Sequence, residues 1–190
     1  MELQPQLAER PVFVTGADGF VGSHLVDVLV DHGATVHALV RATSRAGLTN
    51  IDARDDALTV HRGDLGDSHS VRSALTSLAG HSDVLVFHLG AQAHVGESWT
   101  RPAETLGTNV LGTVHLLEAL VDLDIDVSML DTAGTSEEYG NVDAARRDQY
   151  EFDDKGRVLL DERTPLNPTS VYATSKVAAD CLTMNYHDAY

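Results

Sequence analysis

Tyr172 and Lys176 stand four residues apart, so on a helix they share one face, a phenol one turn from an ammonium. Upstream, Thr135, Ser136 and Glu137 set two hydroxyls beside a carboxylate, and near the start Gly16, Gly19 and Gly22 recur at every third position. Phenols and carboxylates move protons, and closely spaced glycines let backbone N–H groups approach an anion. Singly each signal is weak, because glycine triplets occur in many loops and a tyrosine one turn before a lysine is a common surface pair. The order carries the information: a glycine turn, then Thr-Ser-Glu, then Tyr-x-x-x-Lys reads as an enzyme that uses a nucleotide cofactor.

Positioning these groups falls to alternating elements. Residues 12–15 form a short apolar strand running into Gly16, and residues 20–30 show helical apolar spacing through Val21, Leu25, Val28 and Leu29. Further strands are predicted over 35–40, 58–61, 84–89 and 126–130, with helices over 70–78, 103–123 and 170–190. The last strand delivers Thr135 to its end, and the last helix carries Tyr172 and Lys176. Strands that alternate with helices predict an α/β fold, a doubly wound parallel sheet of the Rossmann type with helices on both faces. The charged stretch 143–161, with a turn at Lys155-Gly156, reads as a surface insertion, either a loop or a hairpin.

Strand, glycine turn and helix together form the first candidate site. Glycines at 16, 19 and 22 permit a tight turn, bring backbone close to a pyrophosphate and let the helix pack on the strand, although the spacing is not the commonest dinucleotide fingerprint. An unliganded strand-to-helix turn is the alternative. Folds that bind NAD place an acidic residue about 20 residues beyond this turn, and an arginine there accepts a 2′-phosphate. Here Val40 is followed by Arg41, with Ser44 and Arg45 just after. The expectation is therefore NADP with Arg41 as the phosphate clamp; the alternatives are NAD and an arginine merely solvated at a strand end.

Composition narrows the class. At 190 residues and 43% hydrophobic, the chain suits one domain with a full core. Its net charge of −16, spread along the sequence, predicts a uniformly acidic surface that repels nucleic acid. Lysine occurs only at positions 155 and 176. The opening Met1-Glu2-Leu3-Gln4-Pro5 lacks the pattern of a signal peptide, and no run approaches the roughly 18 apolar residues of a membrane span, so a cytoplasmic location is expected. With Cys181 as the only cysteine, no intrachain disulfide or thiolate cluster is available. The ten histidines are scattered without ligand spacing and predict no metal; His94, after a strand end, either touches substrate or is solvated, and Trp99 is expected to pack.

The stretch from Thr15 to Leu25, Gly63-Asp64-Leu65, Leu89-Gly90-Ala91-Gln92, Asn109, Thr135-Ser136-Glu137 with Tyr139-Gly140, and Tyr172-x-x-x-Lys176 resemble the extended short-chain dehydrogenase/reductases. Those are the nucleotide-sugar epimerases and dehydratases, and the resemblance runs from residue 12 to the end. Thr135-Ser136-Glu137 looks like the signature of the sugar-nucleotide 4,6-dehydratases, and Val36 to Arg41 resembles the NADP-binding strand of the GDP-mannose 4,6-dehydratases.

The resemblance implies an NADP-dependent 4,6-dehydratase, with a nucleotide-diphosphate hexose such as GDP-mannose as substrate. Tyr172 would take the proton of the sugar 4-hydroxyl, Lys176 would lower the tyrosine pKa, Thr135 would orient the hydroxyl, Glu137 would take the C5 proton and Ser136 would assist the leaving hydroxyl. It assigns cofactor contacts to Gly16, Asp18, Gly19, Phe20, Val21, Gly22, Arg41, Asp64, Leu65, Leu89, Ala91, Gln92, Asn109, Tyr172 and Lys176. A 4-epimerase of the same family, which usually has a small residue in place of Glu137, and a non-catalytic NAD(P)-binding module are the alternatives. Glu138 departs from the apolar residue usual at its place, and Asp131 stands where the family strand is apolar. Family members continue into a small substrate domain, expected to be absent here, and their dimers pair two helices per protomer in a four-helix bundle, which predicts a homodimer.

Overall fold

Val12 and Val14 point to one face of the first strand and Phe13 to the other, and all three are fully buried. That double burial is possible only in a sheet covered on both sides. The computed structural model, which describes residues 7–41, 50–51, 56–141 and 144–190, has this architecture. The first five residues, Ser44, Arg45 and Asp143 lie outside the described residues.

Strand β1 (Pro11–Thr15) runs into helix α1 (Phe20–Asp31) and then β2 (Thr35–Arg41) and β3 (Leu58–Gly63). Helix α2 (Ser68–Leu75) follows, its N-terminus capped by Asp67, which accepts the His69 N–H at 3.1 Å. Strand β4 (Val84–His88) leads to two short helices, α3 (Val95–Thr100) and α4 (Pro102–Leu106), then α5 (Gly112–Asp122) and β5 (Val127–Thr132). All five strands are parallel, in the order β3-β2-β1-β4-β5. One core layer gathers Val12, Val14, Val26, Val36 and Val40 beneath α1; the other gathers Phe13, Val71, Leu75, Val86 and Leu116 beneath α2 and α5. Helix α6 (Val171–Ala189) begins at Ser170, whose hydroxyl accepts the Ala173 N–H at 3.0 Å.

Three expectations change. The helix predicted over 103–123 is interrupted by one π-helical turn at Gly107–Leu111, a wider turn with more residues in it, and Asn109 on it is buried. Helix α3 has no counterpart among the predicted elements, being short with little apolar spacing. On it Trp99 is 62% exposed rather than packed. Asp131 is also exposed, as are Ser128 and Met129, because β5 lies at the sheet edge; its carboxylate needs no interior partner. The charged stretch folds as a short antiparallel hairpin, β6 (Glu151–Phe152) with β7 (Val158–Leu159), turning through Gly156 at φ +74°. Among the described residues, no helix is long and apolar enough to cross a membrane.

Candidate active site

At the carboxyl end of β1, Gly16 takes φ +66°, and a Cβ there would lie 2.8 Å from the Gly90 backbone. A Cβ on Gly22 would overlap the Gly16 carbonyl. Glycine at both positions lets α1 start close against the strand end. No side chain caps α1 and its first turn holds no acid, so its orphan N–H groups open on an adjoining cleft. This cleft encloses about 370 Å³ and lies where β1 is flanked by β2 and β4. The structure brings together on its walls Gly16, Asp18, Gly19, Phe20, Val21 and Gly22 of the turn, Arg41 at the end of β2, Asp64 and Leu65 after β3, and Leu89, Ala91 and Gln92 after β4. Glu104 and Thr108 complete it, two residues that the sequence reading did not single out.

Gln92 carries an unused acceptor. Its Nε2 donates to the His94 carbonyl and to Glu97 Oε2, each at 3.2 Å, which fixes the amide orientation because both partners are acceptors. Its Oε1 is buried and has no partner among the described residues. A buried acceptor left unmatched costs about 1–3 kcal/mol.

Asn109, expected to contact cofactor, lies behind the cleft wall at 2% exposure. Its Oδ1 accepts the Gln92 N–H at 2.7 Å, and its Nδ2 donates to the Gln92 carbonyl at 3.1 Å and to Ser175 Oγ at 2.9 Å. Ser175 in turn donates to the Tyr172 carbonyl at 2.6 Å. One amide therefore ties the loop after β4 to the first turns of α6.

His88 extends this chain of bonds to the glycine turn. Thr113 Oγ1 donates to the Asn109 carbonyl at 2.7 Å, so toward His88 Nε2, 3.0 Å away, it can only accept. The proton thus sits on Nε2. Nδ1 then accepts from Thr15 Oγ1 at 2.8 Å, and Thr15 accepts the Gly90 N–H at 2.9 Å. Burial, reinforced by the Lys176 charge, lowers the His88 pKa from its ordinary 6.5 to about 3, so the ring is neutral and locked in one tautomer.

Beyond β5, Thr135 caps a 3₁₀ turn, Ser136–Tyr139, as its Oγ1 accepts the Glu137 N–H at 3.3 Å. Ser136 and Glu137 are exposed, while Glu138 is only 7% exposed and accepts the Thr135 N–H at 2.9 Å. The turn packs on α6, where Tyr172 is half-buried and Lys176 is 6% exposed. Desolvation lowers the Lys176 pKa, against an opposing pull from Glu138 and Asp180. Thr135, Glu137, Tyr172 and Lys176 are thus on neighbouring elements outside the walls of the glycine cleft. The sequence reading had treated Glu138 only as a departure, although Thr135-x-x-Glu138 has the spacing of a capping box. For His88 the available signal was a lone imidazole in an apolar strand.

A parallel sheet with a glycine turn at its switch point and a Tyr-x-x-x-Lys helix packed alongside defines a fold of the short-chain dehydrogenase/reductase kind. The profile of the GDP-mannose 4,6 dehydratase family matches residues 13–190, and the chain belongs to that family. It is 36% identical to a GDP-mannose 4,6-dehydratase of Sordaria araneosa over 96% of its own length and 31% of that protein's. With the GDP-mannose 4,6-dehydratase of Vibrio cholerae it shares 32% identity over 96% of this chain and 47% of that one. Among solved structures, the UDP-glucose 4-epimerase of Thermus thermophilus in complex with NAD superposes with a TM-score of 0.75 at 30% identity, covering 95% of this chain and 51% of the epimerase. The chain thus spans about a third to a half of the length of these relatives. Members of the wider family are NAD(P)-dependent sugar-nucleotide dehydratases and epimerases.

Proposed function

We propose that this chain forms the cofactor-binding and proton-transfer part of an NADP-dependent 4,6-dehydratase acting on a nucleotide-diphosphate hexose, with GDP-mannose as the first substrate to test. The observation that carries the reading is the placement of the Thr135–Tyr139 turn against the Tyr172–Lys176 face of α6, with Glu137 left exposed. An epimerase needs no base for C5; a dehydratase does.

The uncapped turn of α1 and Arg41 fit a phosphorylated dinucleotide: N–H groups for a pyrophosphate and a guanidinium for a 2′-phosphate. When bound, a nicotinamide would supply the hydride acceptor for C4 oxidation and the hydride source for C6. The chain's own residues handle the protons. Tyr172, as the phenolate that the Lys176 ammonium one turn away favours, takes the proton of the 4-hydroxyl. Thr135 accepts or donates at the same hydroxyl and holds it in line. Once C4 is a ketone the C5 proton is acidic; Glu137 removes it and the C6 hydroxyl leaves as water with that proton, directly or relayed by Ser136. When hydride reaches C6 the C5 carbon regains one proton, matching the one Tyr172 took from the 4-hydroxyl. The products are one water and a 4-keto-6-deoxy sugar nucleotide.

Two copies would meet through the α5 and α6 faces, where Leu111 and Met184 stay more than half exposed. The test is to incubate the protein with NADP⁺ and GDP-mannose and weigh the product. Loss of one water supports a dehydratase, a product of unchanged mass with inverted C4 supports the epimerase, and Glu137→Gln should abolish only the first.

A further inference from the structure

Lys176 is buried, yet among the described residues its ammonium makes no ion pair or hydrogen bond with any side chain. A desolvated lysine in that position tends to give up its proton. Three ionisable groups bear on its surroundings, and two of them, Glu138 and Asp180, act on its charge. His88 of β4 is neutral, as its tautomer requires. Asp180 lies one turn further along α6 but is exposed, so solvent and salt screen it. Glu138 is buried, and its attraction for the ammonium outranks that of Asp180. Its carboxylate cannot swing to meet Lys176 freely, because the backbone N–H of Thr135 holds Oε1 at 2.9 Å in the capping box.

We propose that Glu138 is a positioning residue of this site: tethered to the Thr135 backbone, it keeps Lys176 charged from outside ion-pair contact and so leaves the ammonium's N–H groups for a bound ligand's hydroxyls. The proposal rests on the reading of Lys176 as part of the active site. A contact ion pair would also hold the charge but would consume the donors that a ribose or sugar hydroxyl needs. An apolar residue at 138 would leave the cap unmade and the lysine dependent on a screened surface acid. Glu138 is itself subject to the arrangement: burial and Asp180 raise its pKa, while the Thr135 N–H and Lys176 lower it, with burial the largest influence.

The chain has only two lysines, and Lys155 lies in the exposed hairpin turn, so selective ¹³C,¹⁵N-lysine labelling yields one signal for Lys176 and one internal reference. Glu138→Gln keeps an oxygen for the Thr135 N–H and removes the charge. In that variant the Lys176 signal should titrate at a pH lower by about 1 unit than in the unaltered protein, with the melting temperature nearly unchanged. Glu138→Leu should show the same displacement together with a lower melting temperature, since the cap is lost too. In the unaltered protein, the Lys176 signal should also step at the pH where Glu138 protonates, which keeps the test available if the variants fold poorly. Superimposable Lys176 titrations in Glu138→Gln and the unaltered protein, or no acid step, would overturn the proposal. Neither readout requires turnover, so a failure of the dehydratase reading shows as absent product while the lysine titration still moves.

Discussion

The two sides of the sheet are built differently. Around β1, β2 and β4 nearly every strand residue is buried, and the candidate cofactor cleft is shaped by backbone: a left-handed glycine, an uncapped helix start and loops that leave strand ends. Around β5, Ser128, Met129 and Asp131 face solvent, and the proposed chemistry hangs on side chains of one 3₁₀ turn and one helix face. The first region reads as a rigid holder whose specificity lies in shape, the second as a set of proton carriers on a thinner support. What joins them is polar and buried: Thr15, His88, Thr113, Asn109 and Ser175 link the glycine turn to the Tyr172 carbonyl by an unbroken series of hydrogen bonds.

Truncation is the strongest way to break this contrast. Phe13→Ala should cost about 3–5 kcal/mol by urea unfolding, because a fully buried ring leaves a cavity between β1 and its neighbours. Met129→Ala should stay within about 0.5 kcal/mol. Equal costs at the two sites would show that the sides are equally packed. Next in size is Arg41→Ser, which should weaken NADP⁺ binding about 10- to 100-fold while leaving NAD⁺ nearly untouched, as expected for loss of a charged contact to a 2′-phosphate. Parallel losses for both dinucleotides, measured by calorimetry, would move the clamp elsewhere.

Acid probes the connection between the regions. Burial lowers the His37 pKa from 6.5 to about 4, helped by His61 and His81, and that of His88 to about 3. Below pH 6.5 an unfolded histidine binds a proton that the folded one refuses until pH 4 or 3. Stability from these groups is therefore complete above pH 6.5 and declines as the pH falls from there, by up to about 1.4 kcal/mol per pH unit for each ring. His88→Asn should flatten this acid slope. An unchanged slope in that variant would remove His88 from the account. The smallest effect belongs to Glu137→Gln, whose exposed side chain should leave the unfolding midpoint within about 0.5 kcal/mol while removing C5 deprotonation.

Legibility in the sequence followed the same division. Apolar strands entering a glycine turn are local patterns, so β1, α1, β2 and β4 were readable to within a residue or two, as was the position of α6. The π turn was not, because apolar residues on either side of Gly107–Leu111 keep helical spacing whether the pitch is α or π. The burial of Asn109 on that turn was lost with it. Trp99 misled for a related reason: aromatic size predicts burial, but α3 is a short helix that leaves one face free. Glu138 and Asp131 looked like the same anomaly in sequence. In space they part, since one carboxylate is folded inward by a capping box and the other simply faces water at the sheet edge. Long-range placement, rather than residue type, decided each case.

The most direct test of the central claim, that the glycine cleft holds a phosphorylated nicotinamide dinucleotide, is a calorimetric titration of the purified chain with NADP⁺ and then NAD⁺. The account predicts saturable binding of one dinucleotide per chain with NADP⁺ the tighter of the two. No saturable binding of either would contradict it, and a preference for NAD⁺ would contradict the role given to Arg41.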